Sequence, residues 1–173
     1  MPLPDSAFPP AACVPDLAWK QGDASDISEI ARFSVAAFDP GFREAWNEHQ
    51  IAGMVSDPAG WLDVGRSVGQ PHTPVLAFAL SRAIVDEVEL LLFATCPAAR
   101  RLGLGRALVA RVCESSLRRG AKRIFLEVRA SNLPARALYQ SAGFVPAGRR
   151  PGYYRSVSGD SIDAITLALP LIG

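Results

Sequence analysis

The chain has 173 residues, 18 basic and 17 acidic side chains, and a formal net charge of +1. An apolar share of 49% is enough to fill a core, which excludes a wholly disordered chain, and the length suggests one domain. The charges are unevenly placed: residues 1–99 hold 5 basic and 13 acidic side chains, whereas residues 100–155 hold 13 basic and 2 acidic. Two polarised blocks therefore nearly cancel, and the positive block predicts either an anionic partner or a solvated surface.

The cysteines and the ends of the chain bear on compartment. Cys13, Cys96 and Cys113 are scattered without C-x-x-C spacing and the two histidines stand alone, so we expect no metal site and no disulfide framework. The first residues lack a basic region followed by an apolar run, and no apolar run approaches the ~20 residues that span a bilayer. The sequence therefore predicts a cytoplasmic protein, with an irregular Pro-rich tail over 1–15 and one domain over 16–173.

Hydrophobic periodicity and turn residues predict the elements in chain order. Strands are predicted at residues 17–21, 61–66, 75–83, 87–95, 123–129, 144–154 and 162–169. Helices are predicted from an Asp23 or Ser25 cap to residue 38, at residues 43–55 and 103–119, and from an Asn132 cap to about residue 141. The inner stripe of the first helix is predicted to include Val35 and to leave Phe33 outside.

The order β-α-α-β-β-β-α-β-α-β-β favours an α/β fold of the α+β kind, with one mixed sheet of six to seven mostly antiparallel strands. The strand–helix–strand unit over residues 87–129 implies one parallel pair with a right-handed crossover. The other neighbouring strands are joined by short turns, which favours antiparallel pairing.

The segment RRLGLGR, residues 100–106, joins a predicted strand to a predicted helix. Gly103 and Gly105 let the backbone turn sharply and approach a ligand. The first amides of the helix are unpaired and partly positive, and Arg100, Arg101 and Arg106 add formal charge beside them. The segment is neither a Walker loop nor a dinucleotide fingerprint, since the residues that define those motifs are missing. It predicts pyrophosphate binding, with a plain tight turn and surface arginines as the alternative.

Two segments resemble a known family. Residues 100–105 resemble the Q/R-x-x-G-x-G/A motif of the GNAT superfamily of N-acetyltransferases. Residues 126–144, LEVRASNLPARALYQSAGF, resemble RimI-type ribosomal-protein alanine N-acetyltransferases, as do the later tyrosine pair and the ending DAITLALP at 163–170. The resemblance covers about residues 86–170, and it implies a GNAT-like domain with acetyl-CoA as co-substrate and no metal. It also implies that the parallel strands splay apart and that the strand before the gap carries a bulge.

The resemblance also implies roles for particular residues. Those implied to bind acetyl-CoA are Phe93, Ala94 and Thr95 beside the pantetheine arm, Arg100, Arg101, Gly103, Leu104, Gly105 and Arg106 at the pyrophosphate, and Asn132 near the arm. Glu127 is implied to be the general base, and Tyr139 the acid that protonates the departing thiolate. Tyr153 and Tyr154 are implied to line the acceptor.

Each of these residues also has an ordinary structural reading. Glu127 could be a glutamate on a wetted sheet face, Tyr139 a packed core tyrosine, and Tyr153 or Tyr154 part of cross-strand aromatic packing. The remaining arginines of the basic block, Arg118, Arg119, Arg149 and Arg150, lie outside the matched motifs and are interpreted as surface residues.

Amine chemistry bears on the acceptor. At pH 7 roughly a tenth of protein N-termini are neutral, against well under a thousandth of lysine side chains. A weakly activated base therefore favours an N-terminal alanine, as on a basic ribosomal protein, over lysine. Asp39, Glu44 and Glu48 are predicted to attract such a basic acceptor. Acetylation of lysine or of a small amine, non-catalytic acyl-CoA binding, and a nucleic-acid surface on the arginine block remain alternatives, the last one disfavoured.

Overall fold

The computed structural model describes residues 16–68 and 73–171, and the predicted Pro-rich tail at 1–15 lies outside these ranges. The strands are β1 (Leu17–Gln21), β2 (Gly60–Ser67), β3 (Val75–Ile84), β4 (Glu87–Thr95), β5 (Arg123–Arg129), β6 (Val145–Arg155) and β7 (Ser161–Pro170). The helices are α1 (Ile27–Ala37), α2 (Glu48–Ser56), α3 (Leu104–Leu117) and α4 (Leu133–Ser141). The predicted element order is confirmed.

All seven strands join one sheet in the order β1-β2-β3-β4-β5-β7-β6. Every neighbouring pair is antiparallel except β4 and β5, which run parallel and are connected through α3. The predicted mixed sheet with one parallel pair is therefore confirmed. Insertion of β7 between β5 and β6 places the last hairpin beside the strand that carries Glu127.

Apolar side chains form two clusters, one on each face of the sheet. The first cluster packs Ile30 of α1 and Ile51 of α2 against alternate residues of β3, such as Phe78. The second packs Leu108 of α3 and Tyr139 of α4 against the opposite face. Among the residues at 16–68 and 73–171, no helix is both long and apolar enough to cross a membrane.

Two predictions in the first half were wrong. Val35 is 68% exposed, whereas Phe33 is 8% exposed and packs edge-on against Phe78 with ring centroids 5.4 Å apart. The larger aromatic surface gains more from burial, so α1 turns Phe33 to the sheet. The second helix does not begin at residue 43, because Asn47 forms a reciprocal capping box with Gln50 and starts α2 at Glu48.

The stretch between α1 and α2, residues 38–47, is consequently a loop; we call it the acceptor-side loop. Asp39 closes a turn by accepting the amide of Gly41 at 2.9 Å. The loop is tied to α1 through the amide of Trp46, which donates to the Ser34 hydroxyl at 3.2 Å. The hairpin between β6 and β7 reaches it as well, since the amide of Val157 donates to the carbonyl of Gly41 at 2.7 Å.

Candidate active site

The parallel strands separate and open a cleft. The β4–β5 ladder runs from Glu87 beside Arg123 to Leu90 beside Leu126, and the described strand ends beyond it make no ladder with each other. Leu91 is an extra residue in β4, because Leu92 pairs with Leu80 and Leu90 pairs with Ser81. The expected splay and bulge are confirmed.

A cleft of about 1710 Å³ passes through this gap. All residues predicted for the site line it: Phe93, Ala94, Thr95, Arg100, Arg101, Gly103, Leu104, Gly105, Arg106, Glu127, Asn132, Tyr139, Tyr153 and Tyr154. The fold thus brings together positions that lie up to 61 residues apart in the chain. Their contacts indicate what each one is able to do.

The junction before α3 presents unpaired amides. Gly103 has a φ of 80° and forms the left-handed cap, and the first helical bond runs from the Ala107 amide to the Gly103 carbonyl at 3.1 Å. The amides of Leu104, Gly105 and Arg106 precede that bond and donate to no other described residue. Together with the helix dipole, they form a site suited to an anion.

Gly105 has a packing role in addition to the predicted one. A Cβ atom at this position would lie 2.8 Å from Cδ2 of Leu138 on α4. The missing side chain therefore lets the first turn of α3 approach α4, which forms the adjoining wall of the cleft. Asn132 caps α4 as predicted, because its Oδ1 accepts the amide of Ala135 at 3.2 Å.

The three junction arginines differ in their contacts. Arg100 donates to the carbonyl of Ala37 at 3.1 Å, so its side chain fastens the junction to the end of α1. Arg101 and Arg106 make no ion pair within the part of the chain that the structure describes. Their charges therefore remain available beside the unpaired amides.

Tyr139 of α4 lines the cleft. Its ring is buried between Phe93 and Phe144, with both ring centroids 5.5 Å away. Burial raises the pKa of the Tyr139 hydroxyl well above its usual value, so the group stays protonated. Within residues 16–68 and 73–171 the hydroxyl makes no hydrogen bond, which leaves its proton free to point into the cleft.

Glu127 lies on β5 opposite Thr166 of β7. Its side chain is 28% exposed and accepts a hydrogen bond from Nη1 of Arg150 at 2.9 Å. A part-exposed Glu127 agrees with the alternative of a glutamate on a wetted sheet face, and Arg150 is a surface residue as interpreted, but the two side chains are paired with each other. Arg150 extends over β7 and its guanidinium also stacks on the ring of Tyr153 at 4.0 Å.

A second ion pair, which the sequence did not indicate, stands beside the first. Arg129, two residues after Glu127 on β5, is nearly buried and donates to Glu44 of the acceptor-side loop at 3.1 Å. It also lies 3.7 Å from Asp39 and stacks on Phe42 at 3.8 Å. Burial raises the pKa of the Glu44 carboxyl, although the Arg129 cation opposes that shift.

The paired acids change the expectation of an acidic acceptor site. Asp39 and Glu44 line the cleft, but Arg129 offsets their charge. Glu48 lies outside the cleft lining, in the first turn of α2. The negative charge of this side is therefore weaker than the count of acids suggests.

Tyr153 and Tyr154 contact each other edge-on, with ring centroids 5.1 Å apart, and both line the cleft. Tyr153 is 46% exposed, whereas Tyr154 turns inward. Burial, followed by the negative charges of Glu44 and Glu127, raises the pKa of the Tyr154 hydroxyl. The aromatic pair and its position at the cleft are thus both present.

Several basic residues of the positive block form ion pairs with acidic residues of the negative block. Basic residues of the later block pair with acids of the first half: Arg111 with Asp63 (2.8 Å), Lys122 with Asp86 (2.9 Å), Arg123 with Glu87 (2.5 Å) and Arg129 with Glu44 (3.1 Å). Much of the positive block is therefore internally neutralised. This leaves a smaller surface for nucleic acid than the sequence suggests.

The sequence reasoning missed two residues near the site, Arg129 and Arg150, and one contact, the pairing of Glu44 with Arg129. The alternation of β5 places Glu127 and Arg129 on one face, which was an available signal for Arg129. No comparable signal existed for Arg150 or Glu44, because each meets its partner from an element distant in sequence.

Comparisons with known proteins agree with this geometry. The family profile described as acetyltransferase (GNAT) family matches residues 28–144. The [ribosomal protein bS18]-alanine N-acetyltransferase of Escherichia coli K12 is 44% identical over 95 residues, which cover 55% of this chain and 64% of that protein. The counterpart from Haemophilus influenzae is 32% identical over 97 residues. The match to the Escherichia coli relative thus spans less than two thirds of its length.

Solved structures extend the likeness over more of the chain. The crystal structure of the ribosomal-protein-S18-alanine N-acetyltransferase from Escherichia coli superposes with a TM-score of 0.79 at 30% identity, covering 91% of this chain and 96% of that one. NAA60 of Arabidopsis thaliana, solved with a bisubstrate analogue, superposes with a TM-score of 0.77 at 17% identity over 90% of this chain and 98% of that one. The second likeness concerns the fold alone.

Proposed function

The chain belongs to the acetyltransferase (GNAT) family, and on that premise we propose that it transfers the acetyl group of acetyl-CoA to the N-terminal amine of a protein that begins with alanine. One observation carries the proposal: the gap between β4 and β5 is flanked by the carboxylate of Glu127, which is paired with Arg150, and by a buried, protonated hydroxyl, Tyr139. A base and an acid on two sides of one gap suit attack by an amine and departure of a thiol.

The residues present fit acetyl-CoA. The unpaired amides of Leu104, Gly105 and Arg106 suit its pyrophosphate, and Arg101 and Arg106 suit its remaining negative charge. Beyond Leu90, β4 pairs with β3 but makes no ladder with β5, so its β5-facing edge near Phe93 and Thr95 offers backbone groups to the pantetheine amides. When bound, acetyl-CoA supplies the acetyl group as a thioester.

Glu127 takes up the proton of the acceptor amine in this proposal. The nitrogen forms a bond to the acetyl carbon, the carbon–sulfur bond breaks, and the amine proton passes to the carboxylate directly or through one water. Cleft-lining residues in the described ranges include no cysteine, which supports direct attack by the amine over an acetylated enzyme.

Tyr139 serves the departing sulfur. A free thiol has a pKa of about 8.5 and free tyrosine about 10, and burial raises the pKa of Tyr139 further. Complete proton transfer to the thiolate is therefore more strongly uphill than the sequence suggested. The hydroxyl acts first as a hydrogen-bond donor that stabilises the developing negative charge, and the proton moves only as the thiol leaves.

The proposed acceptor is a protein N-terminus, and the relatives named for acetylating the alanine of a ribosomal protein support it. Tyr153, Tyr154 and the acceptor-side loop would line its path. A ribosomal acceptor implies that the enzyme acts in the cytoplasm. Lysine side chains and small amines are the competing acceptors, because the acceptor-side loop belongs to the half of the chain where the motifs matched least.

The test is an acetyl-CoA assay with three acceptors: a basic peptide with a free N-terminal alanine, the same peptide blocked at its N-terminus and carrying one lysine, and a polyamine. We expect the free alanine peptide to be the best substrate. Glu127→Gln should lower kcat about 10²- to 10⁴-fold while acetyl-CoA still binds.

Glu114→Gln is the matched control, because Glu114 is an exposed carboxylate on α3 outside the cleft lining. It should leave kcat unchanged. Turnover of the polyamine alone would contradict a protein N-terminus as the acceptor and would indicate a small amine instead. Acetyl-CoA binding without any turnover would favour a non-catalytic acyl-CoA-binding module.

A further inference from the structure

Two adjacent arginines of β6 have different partners. Arg149 is engaged by Asp163 of β7, with Nε 2.6 Å from Oδ2. Arg150 donates to Oε1 of Glu127 at 2.9 Å, although β7 lies between their strands. The hydrogen bond to Glu127 raises the pKa of the Arg150 guanidinium, so its charge is permanent.

The shape of β6 directs Arg150 to the site. Arg150 pairs with Ala164 and Tyr154 pairs with Ile162, so three residues of β6 lie opposite one residue of β7. Gly152 allows this bulge with a φ of 62°, and its amide is fixed by Asp163 at 2.8 Å. The bulge places the Arg150 guanidinium between Glu127 and the Tyr153 ring.

An acceptor that reaches Glu127 therefore meets a fixed positive charge. Arg150 itself does not line the cleft, but its 56%-exposed side chain contacts two residues that do, Glu127 and Tyr153. The neighbouring cation, Arg129, is occupied by Glu44 and Asp39 and does not compete for Glu127. A neutral amine approaches without charge repulsion, whereas an ammonium ion has to share the carboxylate with Arg150.

We propose that Arg150 is a specificity-determining residue, which disfavours acceptors that arrive as ammonium ions and so favours protein N-termini over lysine side chains. This inference rests on the proposed function, because it assigns Glu127 as the base. Roughly a tenth of N-termini are neutral at pH 7, whereas almost every lysine is charged. The charge of one guanidinium thereby discriminates between an N-terminal amine and a lysine amine, which differ little in shape.

The experiment compares kcat/KM for the free alanine peptide and for its blocked lysine counterpart in four enzymes: wild type, Arg150→Gln, Arg150→Lys and Arg149→Gln. Arg150→Gln should raise the lysine-to-alanine ratio about fivefold at low salt, in keeping with a half-exposed charge pair. Arg150→Lys retains the charge and should restore the wild-type ratio. High salt should shrink the difference.

Arg149→Gln is the matched control, since it removes the same charge from the next residue but acts on Asp163. Its ratio should equal that of wild type. An unchanged ratio in Arg150→Gln would overturn the inference. So would an equal loss of kcat/KM on both peptides that Arg150→Lys does not reverse.

Failure of the proposed function is a separate result, because it is measured as the absolute rate of wild type on the alanine peptide. If small amines prove to be the acceptors, the same ratio is taken between an alkylamine, charged at pH 7, and an arylamine, neutral at pH 7. An unchanged ratio for that pair in Arg150→Gln would overturn the inference equally.

Discussion

The two ends of the cleft are built in opposite ways. At the end formed by the junction before α3, Arg101 and Arg106 stand beside unpaired amides without an ion pair to the described residues. At the acceptor end, the carboxylates of Glu127 and Glu44 are each held by an arginine. One end offers unpaired positive charge to an anion, whereas the charges at the other end are paired with each other.

This difference explains why the sequence predicted the junction end of the cleft but not the contacts at the acceptor end. The junction is a contiguous stretch of seven residues, so its motif carries its own geometry. The acceptor end draws on residues 38–47, 127–129 and 150–154, and its contacts depend on the sheet order. A local motif predicts local chemistry, whereas paired charges between distant elements have to be seen in the fold.

Tyr139 of α4 lines the same cleft, and among the further variants that compare the two ends its substitution has the largest expected effect. Tyr139→Phe removes only the hydroxyl, which makes no hydrogen bond within the described ranges, so the free energy of unfolding should stay within about 0.5 kcal/mol of wild type. Loss of the donor to the leaving sulfur should lower kcat by about 100-fold or more. Steady-state kinetics and urea unfolding measure the two quantities.

Tyr154→Phe provides the contrast. Tyr154 lies at the acceptor end beside Glu44, so its change should act mainly on the KM of the acceptor. Equal losses of kcat in the two variants would mean that the ends of the cleft do not divide the work as proposed.

Most of the fold followed from the sequence. The alternating and apolar strand patterns located every strand to within about two residues, and the strand–helix–strand unit identified the parallel pair. Both errors lie in the first two helices, and in α1 helical spacing alone did not decide whether Val35 or Phe33 faces the sheet. The start of α2 was missed because the Asn47 capping box competes with a run of otherwise helix-compatible residues.

The site followed less completely. The junction and the Glu127–Tyr139 pair came from motifs, and the fold does bring them to one cleft. Arg150 could not be assigned, since its reach to Glu127 depends on a bulge of β6 and on β7 lying between β5 and β6. The pairing of Glu44 with Arg129 depends on the contact between the acceptor-side loop and β5. No local sequence pattern predicts that contact.

Arg129→Met tests whether that loop is held by one cation. Glu44 and Asp39 would lose their partner, and the half-buried Glu44 would be left unpaired, so we expect the free energy of unfolding to fall by about 2–3 kcal/mol. The KM of the acceptor should rise, with the KM of acetyl-CoA unchanged. Urea unfolding and separate titrations of the two substrates measure these effects.

The second substitution Glu44→Gln should restore part of the lost stability in the Arg129→Met background, because it removes the unpaired charge. Arg123→Met is the matched control on the same strand, where an exposed pair with Glu87 should be worth less than about 1 kcal/mol. A loss at Arg123 as large as that at Arg129 would mean that β5 itself, and not the acceptor-side loop, is disturbed.

Arg106→Gln probes the opposite end and has the smallest expected effect. Arg106 is exposed and has no ion-pair partner in the described chain, so its loss leaves no buried charge behind and the fold should keep its stability. Loss of one solvent-exposed contact to a phosphate group corresponds to about a fivefold weaker acetyl-CoA affinity at low salt, with a smaller difference at high salt.

Calorimetric titration of acetyl-CoA measures this affinity. Arg118→Gln is the control, because Arg118 lies at the far end of α3 and is paired with Glu114, and it should bind acetyl-CoA like wild type. Equal weakening in both variants would mean that the whole basic block attracts the ligand, whereas a loss confined to Arg106 assigns the free charge at the junction to acetyl-CoA.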